Sequence, residues 1–175
     1  THDMALLMRI PFNGLIVLGA RSWLWLALLI IVIDQWTKQL ITSRFAEFES
    51  VVLLPVLDIM RLHNTGAAFS FLSTASGWQR WFFIALALGV SIGVLIWLWR
   101  LPAGSRNILP AGLCCVMGGA LGNVIDRIFL GHVVDFVRLH YGAWYFPAFN
   151  VADSAITVGA VLLILDSLLQ PKQPY

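Results

Sequence analysis

Four long apolar stretches dominate this sequence, at residues 22–41, 81–99, 108–125 and 148–165. A helix needs about 20 mostly apolar residues to cross the hydrocarbon core of a bilayer, and each stretch is close to that length. The whole chain is 59% apolar and 11% charged, whereas soluble domains are roughly 45–50% apolar and about 25% charged. The sequence therefore predicts an all-α membrane protein with four transmembrane helices.

The charge and cysteine content exclude several other classes of protein. The net charge of +2 is too small for a surface that follows nucleic-acid phosphates. The two cysteines, Cys114 and Cys115, are adjacent within an apolar stretch and provide neither a disulfide framework nor a zinc site. The histidines do not have the H-E-x-x-H spacing of a zinc peptidase. We therefore expect no nucleic-acid partner, no metal and no cofactor.

The charges outside the four stretches favour one orientation in the membrane. Four spans place both termini on one side, and that side carries Arg9, Arg21, Arg100, Arg106 and Lys172 in roughly half the loop length of the other side. Positive residues concentrate in cytoplasmic loops, so we expect cytoplasmic termini. Seven of the nine acidic residues fall on the opposite side or in the helix ends beside it. Any chemistry is therefore expected at the extracytoplasmic boundary.

The loops on that side are expected to form a small β element. Residues 43–77 are too polar for the hydrocarbon core, and the β-branched residues within 50–61 predict one or two short strands. Residues 132–139 are a similar candidate. We expect this extracytoplasmic β element to accompany a single four-span domain over residues 22–170. Residues 1–12 are expected to be an N-terminal segment outside that domain, partly a remnant of cloning.

Acidic residues near the outer ends of the spans are the first candidates for function, because a charge at membrane depth is costly. Asp34 lies four residues before Lys38, the favourable order for a helical ion pair, and a structural pair is the preferred interpretation. Asp126 is followed directly by Arg127, which favours a local structural network at the end of the third span. The remaining candidates are Asp135 and Asp153.

These two residues are harder to explain by structure alone. Asp153 stands three residues after Asn150, the spacing of a helix capping box, so a cap and a catalytic role stay equally open. Asp135 lies between Val134 and Phe136 and has no obvious helical partner or cap. Paired carboxylates are one explanation of this acidic cluster. A small proton- or cation-coupled transport subunit is the main alternative, and an intramembrane zinc peptidase is the third.

Five motifs occur in a fixed order along the chain. They are Asp34-Gln-x-Thr-Lys38, Asn64-Thr-Gly-Ala-Ala-Phe-Ser70, Gly118-Gly-Ala-Leu-Gly-Asn-Val-Ile-Asp-Arg127, His132-Val-Val-Asp-Phe136 and Phe149-Asn-Val-Ala-Asp-Ser154. The third motif also has the small-xxx-small spacing that lets helices approach closely. Together the motifs resemble signal peptidase II, the bacterial prolipoprotein signal peptidase family of aspartic peptidases. The resemblance covers about residues 22–170.

The resemblance implies an enzyme of the bacterial inner membrane with both termini in the cytoplasm and its active site on the periplasmic side. It implies cleavage of diacylglyceryl-modified prolipoproteins just before the lipidated cysteine and inhibition by globomycin. We also expect contact with membrane lipid and a monomer. By motif match, Asp135 and Asp153 are the catalytic pair, while Asp34 and Lys38 are structural. The residues implied to line the substrate site or support the pair are Asn64, Gly66, Asn123, Asp126, Arg127, Asn150 and Ala152.

Two carboxylates suit such a reaction because peptide hydrolysis needs one group to accept a proton and another to donate one. Like charges in close approach do not both ionise near neutral pH, so the pair shares one proton. Asp153 is expected near a helix N-terminus, where the macrodipole favours a negative charge. We therefore expect Asp153 to be the ionised member and Asp135 the protonated one.

Overall fold

The computed structural model describes residues 19–66, 77–102 and 106–169. Residues 1–12, together with Arg9 and Lys172, lie outside these ranges, as do residues 67–70 of the second motif. A short 3-10 turn precedes the first of four helices that are long and apolar enough to cross a membrane. The helices are α1 (Leu24–Arg44), α2 (Trp78–Arg100), α3 (Ile108–Phe129) and α4 (Val151–Leu169).

The fourth helix begins later than residue 148, where the apolar stretch starts. Phe149 is held in extended conformation because its N–H and C=O both bond to the backbone of Val137, at 2.9 Å each. The helix can begin only after this pairing ends, at Val151. Apolar character alone does not distinguish an extended segment that precedes a helix from the first turn of the helix.

Helix α3 occupies the centre of the bundle. Of its most apolar 18-residue window 72% is buried inside the protein, against 22% for each of the other three helices. In the described part of the chain, α1, α2 and α4 each pack on α3, and α1 also contacts α4. Helix α2 packs on α3 without contacting α4. The bundle therefore has a lateral gap between α2 and α4 that is floored by α3.

Glycines in α3 allow the central helix to approach two neighbours closely, as the small-xxx-small spacing predicts. A Cβ on Gly118 would lie 2.9 Å from the carbonyl oxygen of Ala27 in α1. A Cβ on Gly119 would overlap the carbonyl oxygen of Ala152 in α4. Because α4 carries Asp153, this contact also fixes the depth at which that carboxylate lies.

The two loops at one end of the bundle combine into a single antiparallel sheet, which confirms the expected β element. Its strands are adjacent in the order β1 (Ser50–Leu54), β2 (Leu57–Asn64), β3 (Val133–Tyr141) and β4 (Trp144–Tyr145). The sequence did not predict β4, because two residues are too short for a periodic signal. We refer below to the end of the bundle that carries this sheet as the sheet end.

Arginines from outside each helix satisfy carbonyl groups that helix C-termini leave without partners. Arg61 of β2 donates to the carbonyl oxygens of Thr42 and Phe45 at the end of α1. Arg80 and Arg106 bond in the same way to the last turns of α3 and α4. These charged hydrogen bonds attach the sheet to α1, α2 to α3, and the connection between α2 and α3 to α4.

Candidate active site

The candidate site lies at the sheet end, where β3 meets the C-terminal turn of α3 and the first turn of α4. Strand β3 carries Asp135, and pairing of Leu62 with Asp135 in the register of β2 and β3 aligns it with the end of β2. Helix α4 carries Asp153 in its first turn. Asp135 is 1% exposed and is thus nearly sealed from solvent.

Two amides hold the carboxyl group of Asp135. The side-chain NH₂ of Asn64 donates to Oδ2 at 2.9 Å, and that of Asn150 donates to Oδ1 at 2.7 Å. Burial raises the pKa of Asp135 to about 7, and the negative charge of Asp153 adds to this rise, while the two amide donors oppose it. The carboxyl group can therefore exchange a proton near neutral pH.

The predicted capping box is confirmed at the start of α4. The N–H of Asp153 donates to Oδ1 of Asn150 at 2.9 Å, and the N–H of Asn150 donates to Oδ2 of Asp153 at 3.2 Å. The other carboxylate oxygen of Asp153 accepts a hydrogen bond of 2.8 Å from the side-chain NH₂ of Asn123. Asn150 therefore bonds to both Asp135 and Asp153, and the cap itself brings the two carboxylates to one site.

An Asx-type turn orients Asn64 towards Asp135. The N–H of Gly66 donates to Oδ1 of Asn64 at 2.9 Å, which leaves the NH₂ group for Asp135. Gly66 has φ +96°, and a Cβ there would lie 2.8 Å from the ring of Phe83 in α2. Only glycine fits both the backbone conformation and the space, so Gly66 acts on the site through Asn64.

A buried charge network lies beside the two carboxylates, between α1 and α3. Lys38 pairs with Asp34 at 2.8 Å, as the spacing predicts, and with Asp126 at 2.9 Å. Its ammonium also donates to Oδ1 of Asn123 at 2.9 Å. We expected Asp126 to form a local network with Arg127, but its ion-pair partner is Lys38 of α1. Adjacent residues point in different directions around a helix, so Asp126 turns towards α1 while Arg127 turns towards α2.

Asp126 and Ala152 join this network to the backbone of the site. Asp126 accepts the N–H of Val134, beside Asp135 in β3, at 3.1 Å. The N–H of Ala152 donates to Oδ1 of Asp34 at 2.9 Å, and Ala152 is fully buried. These contacts connect α1, α3, β3 and α4 through polar groups.

Gln35 was not predicted from the sequence, although it stands inside the first motif. Its side-chain NH₂ donates to Asp126 at 2.9 Å and to the carbonyl oxygen of Gly122 at 3.1 Å. Phe83 was also missed, because an aromatic residue in an apolar span gives no functional signal. Its ring lies 5.0 Å from the guanidinium of Arg127, an arrangement typical of a cation–π contact.

Two mostly apolar cavities meet at Asp153. The first, of about 340 Å³, lies between α2, α3 and α4 and carries Asn123, Arg127 and Asp153 as its polar residues. The second, of about 490 Å³, lies between α4 and the segment around β4, with Phe146 and Phe149 in its wall. The apolar wall of the first consists of Phe83, Leu86, Ala87, Val90, Val116, Ala120 and Ile156.

Within residues 19–66, 77–102 and 106–169, no group of three or more His, Cys, Asp or Glu side chains is arranged to hold a metal ion. The rings of His63 and His132 stack with their centroids 3.8 Å apart, and Nδ1 of His63 lies 2.8 Å from a carboxylate oxygen of Glu47. Among the described residues, two carboxylates, three asparagines and an arginine contribute side chains to the site.

Similar known proteins show the family to which this chain belongs. A family model described as signal peptidase (SPase) II matches residues 26–169. Lipoprotein signal peptidase of Pseudomonas fluorescens is 52% identical over 88% of this chain and 91% of its own length. That of Pseudomonas aeruginosa is 49% identical over 88% of this chain and 92% of its own.

A solved structure shares the fold. A bacterial membrane enzyme determined by the in meso method at 1.9 Å resolution is 30% identical, has a TM-score of 0.73, and aligns over 87% of this chain and 95% of its own. The family model and the relatives both extend over most of the sequence. The chain is therefore a bacterial multi-pass membrane protein that belongs to the signal peptidase II family.

Proposed function

We propose that this chain removes the signal peptide from diacylglyceryl-modified prolipoproteins by an aspartic mechanism, with Asp135 and Asp153 as its catalytic residues. The observation that carries the proposal is the pair of carboxylates joined by Asn150, of which Asp153 lines an apolar cavity. Membership in the signal peptidase II family supports the peptidase activity. It gives no support to a transport subunit.

In the proposed reaction Asp153 begins as the carboxylate and Asp135 as the carboxylic acid. Asp153 takes a proton from water, the hydroxide attacks the scissile carbonyl carbon, and Asp135 gives its proton to the carbonyl oxygen. The resulting gem-diol then collapses: Asp153 protonates the leaving nitrogen, the C–N bond breaks, and Asp135 recovers a proton from a hydroxyl group. Both carboxyl groups return to their starting states. The pKa of Asp135, about 7, suits this exchange near neutral pH.

The lateral gap between α2 and α4 is the proposed path for the signal peptide. A signal peptide is an apolar helix in the bilayer, and the cavity in this gap runs along α2 from Phe83 to Val90 with a mainly apolar wall. Its polar residues lie at the sheet end, beside Asp153. A signal peptide that lies in the gap with its C-terminal end at the sheet end would therefore bring its cleavage site to Asp153.

The second cavity supports a position for the lipid-modified cysteine. It also includes Asp153, lies against the face of α4 that carries Ser154 and Thr157, and has Phe146 and Phe149 in its wall. The scissile bond separates the signal peptide from the lipidated cysteine, so two cavities that share Asp153 match the two parts of the substrate. Globomycin, an inhibitor of this family by the resemblance, is expected to compete for the same space.

The proposed orientation has both termini in the cytoplasm and the sheet end on the periplasmic side of the inner membrane. The candidate carboxylates cluster at the sheet end, whereas Arg100 and Arg106 flank the connection between α2 and α3 at the other end. This distribution agrees with the concentration of positive charge in cytoplasmic loops. We further propose that residues 22–170 act as one domain and as a monomer.

Substitution of each proposed catalytic carboxylate tests the function. Asp135→Asn and Asp153→Asn are each expected to lower cleavage of a lipidated prolipoprotein by about 10²–10⁴-fold or more, since each removes a proton carrier. Asp166→Asn is the matched control, because Asp166 is also buried in α4 but lies at its far end. Initial rates are measured in detergent after the melting temperature of each variant has been recorded. Near wild-type turnover in either site variant would contradict the proposal.

A further inference from the structure

We propose that Lys38 is a positioning residue for the reaction, which fixes the amide of Asn123 so that its NH₂ group faces Asp153. This inference rests on the proposed function, in which Asp153 acts as a carboxylate. It gives Lys38 a role beyond its structural ion pair with Asp34.

The three donors of the Lys38 ammonium match three acceptors. They are Oδ2 of Asp34 at 2.8 Å, Oδ2 of Asp126 at 2.9 Å and Oδ1 of Asn123 at 2.9 Å. Lys38 is 3% exposed, so water does not replace any of these partners easily. An ammonium has no acceptor, and it can contact a side-chain amide only through the amide oxygen.

This restriction determines which end of Asn123 reaches the site. With Oδ1 on Lys38, the NH₂ group of Asn123 points the other way and donates to Oδ1 of Asp153 at 2.8 Å. Asn150 adds a weaker donor to the same Asn123 oxygen, at 3.3 Å. A rotated amide would turn its NH₂ towards the ammonium and its oxygen towards the carboxylate, so both contacts would become repulsive.

The geometry separates this role from simple stabilisation. Asp34 is paired with Lys38 but has no hydrogen bond to Asn123; its other described donors are Gln35 and the N–H of Ala152. Loss of either Asp34 or Lys38 disturbs the buried charge network and should lower stability. Only loss of Lys38 also frees the amide of Asn123 beside Asp153.

A double-mutant cycle with turnover as its readout tests the proposal. The variants are Lys38→Met, Asn123→Ala and their combination, with lipidated prolipoprotein as substrate and kcat expressed per folded enzyme. Lys38→Met is expected to lower kcat by about 10- to 100-fold with little change in KM, because a misplaced catalytic group loses effective molarity. In the Asn123→Ala background the same substitution should change kcat by less than about twofold, since groups that act through one another are non-additive.

Asp34→Asn is the matched comparison, expected to melt earlier while its folded fraction loses less kcat than that of Lys38→Met, and Asp166→Asn at the far end of α4 is the control expected to keep the wild-type kcat. If Lys38→Met does not fold, Lys38→Met/Asp34→Asn removes one cation together with one carboxylate and is compared with Asp34→Asn alone. A wild-type kcat for folded Lys38→Met, or an equal loss in both Asn123 backgrounds, would overturn the inference. Wild-type enzyme and Asp135→Asn are assayed beside these variants. Equal activity of those two would contradict the proposed function, whatever Lys38 does.

Discussion

The environment of Asp135 opposes ionisation of its carboxyl group without preventing it. Burial raises the pKa of its carboxyl group to about 7, whereas Asn64 and Asn150 donate to the ionised form and limit the rise. Protonation of Asp135 therefore favours the folded state at low pH, and this contribution is lost as the pH rises towards about 7. A carboxyl group with such a pKa is a suitable proton donor at neutral pH.

The pH dependence of cleavage follows from this environment. Because Asp135 is the proposed acid, turnover of the wild-type enzyme should fall as the pH rises above about 7. Asn64→Ala removes a donor that stabilises the ionised form, so the pKa of Asp135 should rise and the alkaline limb should move to higher pH. The measurement is kcat against pH across the neutral range.

Asn107→Ala provides the control for this measurement, because Asn107 makes no side-chain cap bond at the start of α3, far from the sheet end. Its pH profile should match that of the wild type. A movement of the alkaline limb of Asn64→Ala to lower pH would contradict the assignment of Asp135 as the acid.

Single residues differ in how far their partners could be predicted from the sequence. Local spacing predicted the pair of Asp34 with Lys38 and the capping box of Asn150 with Asp153, because both are set by helix geometry. The partner of Asp126 could not be predicted in this way. Its bond to Lys38 joins two helices, and such contacts depend on how the helices pack.

At the scale of elements, the position of α4 on α3 decides where Asp153 lies. The backbones approach closely at Gly119, where a Cβ would overlap the carbonyl oxygen of Ala152, next to Asp153. The glycine spacing predicted a close helix contact but not which helix would fill it. In the structure, glycines of α3 face both α1 and α4.

Gly119→Ala should therefore lower both stability and activity. The added methyl group forces α4 away from α3 and is expected to cost about 1–3 kcal/mol, with a matching loss of kcat as Asp153 is displaced. Gly89→Ala in α2 is the control, because a Cβ there meets no atom within 4 Å. In a helix that exchange should be neutral or stabilising by up to about 1 kcal/mol. Equal melting temperatures and rates for the two variants would show that the α3–α4 contact does not set the site.

The strands show a similar division between local and long-range information. The β-branched residues of β1 and β2 predicted strands, and the structure has them. The pairing of β2 with β3, which brings Asn64 to Asp135, joins residues far apart in sequence. Alternation of residue types does not specify such a register when several faces are apolar.

At the scale of the whole molecule, the uneven packing around α3 leaves α2, among the described residues, packed on α3 without contact to α1 or α4. Helix α2 does not contact α4 in the described part of the chain, and the cavity between them ends at Asp153. A soluble enzyme would expose this apolar gap to water. In a bilayer, lipid chains would fill the gap, and the proposed substrate helix would replace them.

A bulky side chain in this gap should obstruct the substrate. Ala87→Trp fills the wall contributed by α2 and is expected to raise KM about tenfold, equivalent to about 1.4 kcal/mol of binding. Ala85→Trp on the same helix is the matched control, since Ala85 is exposed and lies outside the cavity wall. KM is measured with lipidated prolipoprotein. Equal KM values for the two variants would exclude the α2–α4 gap as the substrate path.

The substrate and the absence of a metal requirement are tested together by comparing four initial rates. Lipidated precursor should be cleaved much faster than unlipidated precursor. Its acyl chains are held in the bilayer, so they position the cysteine at the site and confine the encounter of substrate and enzyme to the membrane. EDTA should leave both rates unchanged, since the proposed proton transfers use only Asp135 and Asp153. Equal rates on the two precursors would contradict the proposed lipid-modified substrate. Activity that EDTA abolishes and zinc restores would contradict the aspartic mechanism, even if the lipid dependence held.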